Sequence, residues 1–124
     1  MKKVVATKKA PDAIGPYSQA IVAGCFVFTS GQLGKTVDGA LPESVEAQAK
    51  QALDNLKLIL EEAGSNMDKV IKTTVFITDM DNFAKVNAIY ATYFSEGSYP
   101  ARSCVEVSRL PADCLVEIEA VAEL

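Results

Sequence analysis

Residues 44–78 read SVEAQAKQALDNLKLILEEAGSNMDKVIKTTVFIT, a helical pattern that runs almost directly into a strand pattern. Val45, Ala49, Ala52, Leu53, Leu56, Ile59, Leu60 and Ala63 fall on one stripe at helical spacing, so one face of this segment is built for burial. Ser44 is placed to cap its N-terminus and Glu46 lies favourably in the first turn. Gly64 stands where a left-handed residue would end the helix. The β-branched run Val70–Thr78 then predicts a strand, with Ile71, Thr73, Val75 and Ile77 on one face and Lys72, Thr74 and Phe76 on the other.

Working outward, a short strand is expected near Val4–Ala6, followed by a structured loop, Ala10–Tyr17, that contains Pro11, Gly15 and Pro16. Ser18–Ala23 and Phe26–Ser30 flank Gly24-Cys25 at the spacing of a hairpin. Gly31–Leu41 reads as a loop. Asp79 is expected to cap a second helix ending near Phe94, with Phe83, Val86, Tyr90 and Phe94 buried and Asn87 on the same stripe. Two last strands, Ala101–Val107 and Leu115–Ala122, are joined by a segment around Pro111.

This order, β-β-β-α-β-α-β-β, predicts an α+β fold: residues 1–124 as a single domain, a mixed sheet of about six strands, and both helices on one face. Alternation assigns Val116, Ile118 and Ala120, with Ser103, Val105 and Val107, to the helix-covered face, and Arg102, Cys104 and Glu106 to the other. That second face is either solvated or a subunit interface enclosing ligand clefts.

Composition narrows the chemistry. The net charge is −4, and no cationic tract exceeds Lys8-Lys9, which disfavours a surface that tracks nucleic-acid phosphates. No apolar run reaches membrane-spanning length and Met1–Lys9 lacks the core of a signal peptide, so a soluble cytoplasmic protein is expected. Three cysteines without CxxC spacing give poor support for disulfides or zinc, and no metal site is expected. Histidine is absent, so acid–base work would fall to carboxylates, Tyr, Lys, Cys, backbone dipoles or water.

Against that background Arg102 stands out, a single arginine near the start of an apolar strand. Its planar fork suits a carboxylate, so it either awaits an anionic ligand or pairs with an internal Asp or Glu. Asn87 poses the same choice between a backbone partner inside the fold and a place in a site.

The motifs Ile14-Gly15-Pro16-Tyr17-Ser18-Gln19, Thr29-Ser30-Gly31-Gln32, Val70–Phe76, Phe83…Asn87…Tyr90…Phe94, Pro100–Val107, Arg109-Leu110-Pro111 and Val116–Ala120 occur together, from about Val4 to Ala122. In this order and spacing the chain resembles the Rid family, the YjgF-type enamine/imine deaminases. The resemblance implies a chorismate-mutase-like homotrimer with a ligand cleft between neighbouring subunits. It also implies cofactor-free hydrolysis of 2-aminoacrylate and 2-aminocrotonate, as their imine forms, to 2-keto acids and ammonia, which protects pyridoxal-phosphate enzymes.

Carried over by position, Arg102 matches the arginine that clamps the substrate carboxylate and Glu117 the glutamate that holds water and relays protons. A salt bridge from Glu117 to Arg102 or Lys72 is the structural alternative. Tyr17, Ser30 and Asn87 match polar cleft residues, and Gly31 and Cys104 sit where backbone groups approach the ligand. Many relatives have Ile-Pro where this chain has Leu33-Gly34, so a more mobile loop, or one shaped for another substrate side chain, is expected here. Competing functions are a noncatalytic trimer that binds small carboxylates as a regulator, and a translation inhibitor with ribonuclease activity. The acidic balance and absent histidine disfavour the last.

Overall fold

A computed structural model describes all 124 residues. The elements are β1 (Lys3–Val5), β2 (Ala20–Ala23), β3 (Phe26–Thr29), β4 (Gln32–Leu33), α1 (Val45–Glu62), β5 (Val70–Ile77), α2 (Phe83–Ala91), β6 (Ala101–Glu106) and β7 (Val116–Glu123). The strands form one sheet in the order β1-β2-β3-β7-β5-β6, with β4 also paired to β7. Only β5 and β6 run parallel, so the sheet is mixed and unclosed, as expected, but it has seven strands rather than six. The extra strand is Gln32–Leu33, which the glycines around it had marked as loop.

The long helix follows its sequence closely. The Ser44 hydroxyl accepts from the Ala47 N–H at 3.1 Å. At the other end the Ser65 N–H donates to Leu60 O and the Gly64 N–H to Glu61 O, with Gly64 at φ +90°, a glycine C-cap of the Schellman type. Every residue of the apolar stripe from Val45 to Leu60 is buried. It packs against Val27, Val75, Ile77, Val116, Ile118 and Ala122, and with them forms the centre of the core. The hairpin turn also falls on Gly24-Cys25, with the left-handed conformation at Gly24. No helix is long and apolar enough to cross a membrane.

Three local expectations need correction. A β-bulge between Val70 and Lys72 shifts the start of β5, so Val70 turns into the core and Ile71 is left exposed. The second helix ends at Ala91 and begins after a separate 3-10 turn, Met80–Asn82, which Asp79 caps through the Asp81 N–H. Phe83 is exposed rather than buried, and Phe94 is only half-buried.

The third correction concerns β6. Its parallel register with β5 sets Arg102 opposite Thr73, Cys104 opposite Val75 and Glu106 opposite Ile77. Thr73, Val75 and Ile77 are fully buried beneath the helices, so Arg102, Cys104 and Glu106 lie on the helix side, the reverse of the face read from alternation. The reason is position: β6 is the sheet edge, where the nine-residue α2 leaves room for a polar side chain. The open face instead carries Val4, Phe26, Phe28 and Val105, all exposed.

Candidate active site

Two clefts gather the candidate residues. The first, about 530 Å³, lies where the proline loop meets β4 and β7, and Tyr17, Ser30, Gly31, Leu33 and Glu117 all line it. Gln19 fixes the loop that supplies Tyr17: its buried amide accepts from the Thr7 N–H and donates to the carbonyls of Thr7 and Pro11. The Tyr17 hydroxyl accepts from the Ile14 N–H at 3.2 Å, and the Ser30 hydroxyl donates to Ser18 O.

Glu117 sits at the start of β7, opposite Leu33 on one side and Phe76 on the other. Its carboxyl rests on the backbone of Gly31, where a Cβ would lie only 2.6 Å from Glu117 Cδ. A larger residue at this position would therefore displace the Glu117 carboxyl, and the glycine is favoured by that close approach, not by an unusual φ. Burial pushes the Glu117 carboxyl above the usual carboxylate range, and the nearby Glu119 charge adds to the effect. Neither expected structural partner is present, since Lys72 donates to Ser103 Oγ at 3.0 Å and Glu117 takes part in none of the three ion pairs.

The second cleft, about 410 Å³, is lined by Asn87, Tyr90, Ala91, Tyr99, Pro100 and Arg102. Arg102 donates one hydrogen bond, from Nη1 to Asn87 Oδ1 at 2.6 Å. Its guanidinium carbon lies 4.9 Å from the Tyr90 ring centroid and 5.5 Å from that of Phe83, within cation–π range. The Tyr90 hydroxyl is in turn bonded to Thr73 Oγ1 at 2.7 Å in the core, which fixes the ring. No internal carboxylate pairs with Arg102. Four of its five donors remain without a partner in the chain, so the cradle orients a planar cation without saturating it.

The side-chain partner of Asn87 is the guanidinium and not the backbone. Cys104, two residues along β6, is half-buried. Burial raises its thiol against the pull of Arg102, which leaves it a thiol at neutral pH. Tyr90 is buried as expected and also stacks on Arg102, together with the exposed Phe83. Their signal was present, because Phe83, Asn87 and Tyr90 share one helical stripe and Asn87 was already a candidate.

The two clefts do not meet within one chain. Val105, Phe76 and Glu117 stand in register across β6, β5 and β7, and Arg102 is three residues further along β6. Arg102 and Glu117 are therefore two strands apart, about 10 Å across the sheet, and project from opposite faces. The fold thus defines a class: a small α+β protein with an anion-ready arginine cradle beside α2 and a raised-pKa carboxylate in a cleft on the other side of the sheet.

Comparison with known proteins assigns that class. The chain belongs to the endoribonuclease L-PSP family, whose profile it matches over residues 7–124. It is 52% identical over 127 residues to the 2-iminobutanoate/2-iminopropanoate deaminase of Salmonella typhimurium, covering 98% of each chain. Among solved structures it is similar to a conserved Rid-family protein from Yersinia pestis, with a TM-score of 0.96, 49% identity and full coverage of both chains. It is also similar to Escherichia coli TdcF with bound serine, with a TM-score of 0.93, 44% identity and 98% coverage of both.

Proposed function

We propose that this protein is a 2-iminobutanoate/2-iminopropanoate deaminase. It hydrolyses the imines formed from 2-aminoacrylate and 2-aminocrotonate to 2-keto acids and ammonia. The observation that carries the reading is Glu117, a carboxyl raised by burial and seated on Gly31 in a cleft, with no cation paired to it.

In this reading Arg102 grips the substrate carboxylate through the donors that Asn87 leaves free, and the rings of Tyr90 and Phe83 hold its plane. Glu117 accepts a proton from water as the new C–O bond forms at the imine carbon. The same proton is then delivered to nitrogen, which gives a carbinolamine; Glu117 next takes the carbinolamine hydroxyl proton and passes it to nitrogen as the C–N bond breaks, so that the carbonyl forms and ammonia leaves. Tyr17, Ser30 and the backbone at Gly31 line the water side, and Cys104 contributes through its backbone. No cofactor enters this sequence, since an imine is already electrophilic at carbon.

Because the two groups project from opposite faces, the reading requires a second copy of the chain. We place Arg102 of one subunit against the Glu117 cleft of its neighbour in a homotrimer. The exposed Phe26, Phe28, Val4 and Val105 on the open face support such an assembly, since apolar side chains on a sheet face call for a cover. Localisation in the cytoplasm and the absence of a nucleic-acid partner belong to the same reading, and a ribonuclease finds no cationic stripe along the Glu117 cleft.

The deciding experiment is a coupled assay in which a threonine or serine dehydratase generates the enamine and keto-acid release is timed. Release should accelerate in proportion to added protein. Saturable keto-acid binding without acceleration would instead identify a noncatalytic regulator.

A further inference from the structure

The Glu117 cleft holds one cation that the mechanism above does not use. Lys35 lines it, the sole Lys or Arg to do so. It takes part in none of the three ion pairs, whereas the other acidic lining residue, Asp12, is paired with Lys8 at 3.4 Å.

The backbone that carries Lys35 is held from below. Asn55 of α1, 1% exposed, donates from Nδ2 to Lys35 O at 2.8 Å and to Leu33 O at 3.2 Å, while Gln51 orients it by donating to its Oδ1 at 2.9 Å. Between them Gly34 is buried flat on α1, where a Cβ would meet Gln48 O at 2.4 Å. The segment expected to be mobile is therefore clamped at both carbonyls and at its glycine. Leu33 stands opposite Glu117, and Lys35 lies two residues on, about 7 Å along an extended chain. Lys35 and Glu117 both line this one cleft.

We propose that Lys35 is a specificity residue that receives a distal carboxylate on the substrate side chain, so that the enzyme also accepts dicarboxylic 2-imino acids of four or five carbons. The proposal rests on the deaminase reading. A substrate held by its first carboxylate at Arg102 and attacked beside Glu117 would send its side chain past Leu33 toward Lys35. A cation anchored on a rigid backbone strengthens binding of an anionic terminus there, while a methyl-terminated side chain does not reach it.

The test compares wild type with Lys35→Met and Lys35→Arg on imines generated in situ by amino-acid oxidases from aspartate, glutamate and 2-aminobutyrate. Keto-acid release is measured against semicarbazide trapping. Lys35→Met should lose ten-fold or more in kcat/KM for 2-iminosuccinate and 2-iminoglutarate, chiefly through KM, while 2-iminobutanoate turnover stays unchanged. Lys35→Arg should restore most of the loss, and added salt should narrow the wild-type preference. Equal losses on all three substrates, or no loss on the dicarboxylates, overturns the proposal. Calorimetry of 2-oxoglutarate against 2-oxobutyrate gives an answer independent of turnover: wild type should prefer the dicarboxylate and Lys35→Met should not, and equal wild-type affinities overturn the role of Lys35. Failure of wild type to turn over 2-iminobutanoate would overturn the deaminase reading instead, leaving calorimetry to decide Lys35.

Discussion

Arg102 is held as a plane, between the rings of Tyr90 and Phe83 and the Asn87 amide, so its value lies in geometry as much as in charge. Lysine would keep the charge but lose the two-point grip and the ring stacking. Arg102→Lys should lower kcat/KM for deamination by more than ~10-fold, about 1.4 kcal/mol of transition-state stabilisation. Steady-state kinetics on the folded protein checks this, and near-wild-type efficiency would remove Arg102 from the carboxylate clamp. Glu117 makes the complementary case. Its folded pKa is raised by burial, so the folded protein binds more protons than the unfolded chain in the window above the ordinary carboxylate pKa. Its ionisation therefore lowers stability as pH rises through that window. Glu117→Gln should abolish most turnover yet melt at or above the wild-type temperature at pH 7. The acidic limb of the wild-type rate profile should stand above the usual carboxylate range. Thermal melts and a pH–rate series test both, and a strongly destabilised Glu117→Gln would mark Glu117 as a structural residue.

At the scale of elements, α1 was legible because its determinants are local: a stripe, a serine cap and a terminal glycine act within one segment. Six of the seven strands were legible in order, and β7 in face, but the face of β6 and the start of β5 were not. One extra residue at the bulge after Val70 moved Ile71 from the core side to solvent, and no feature of the alternating pattern announces such an insertion. The face of Arg102 depended on the register of β6 against β5, a pairing made across the intervening α2. Gln32–Leu33 was too short to carry a strand signal, and Gly34 was taken as a source of mobility because its packing partner is fourteen residues away on α1. That packing gives a direct test. Gly34→Ala should place a methyl carbon against the Gln48 carbonyl and force α1 or β4 to shift, at a cost of roughly 1–3 kcal/mol. Urea denaturation would detect it, and a melt indistinguishable from wild type would show that the β4–α1 contact yields without cost.

At the scale of the whole molecule, the position of each candidate residue could be read from the chain, but not their division between two faces. That division decides how the site is assembled. If each cleft joins Arg102 of one subunit to Glu117 of the next, then an Arg102→Met trimer and a Glu117→Gln trimer are each inactive for different reasons. Mixed trimers are different: wherever a Glu117→Gln subunit supplies its intact Arg102 to the intact Glu117 of an Arg102→Met neighbour, a complete cleft is restored. Random assortment of equal amounts should regenerate about a quarter of the wild-type sites in a closed ring of heterologous contacts. The experiment unfolds and refolds the two variants together, isolates trimers by size-exclusion chromatography and measures deamination per subunit. Activity should appear only in the co-refolded sample and not when preformed trimers are mixed and assayed at once. A co-refolded sample as inactive as its parents would place both groups in a site within one chain, and the sheet between Arg102 and Glu117 would then have to rearrange to bring them together.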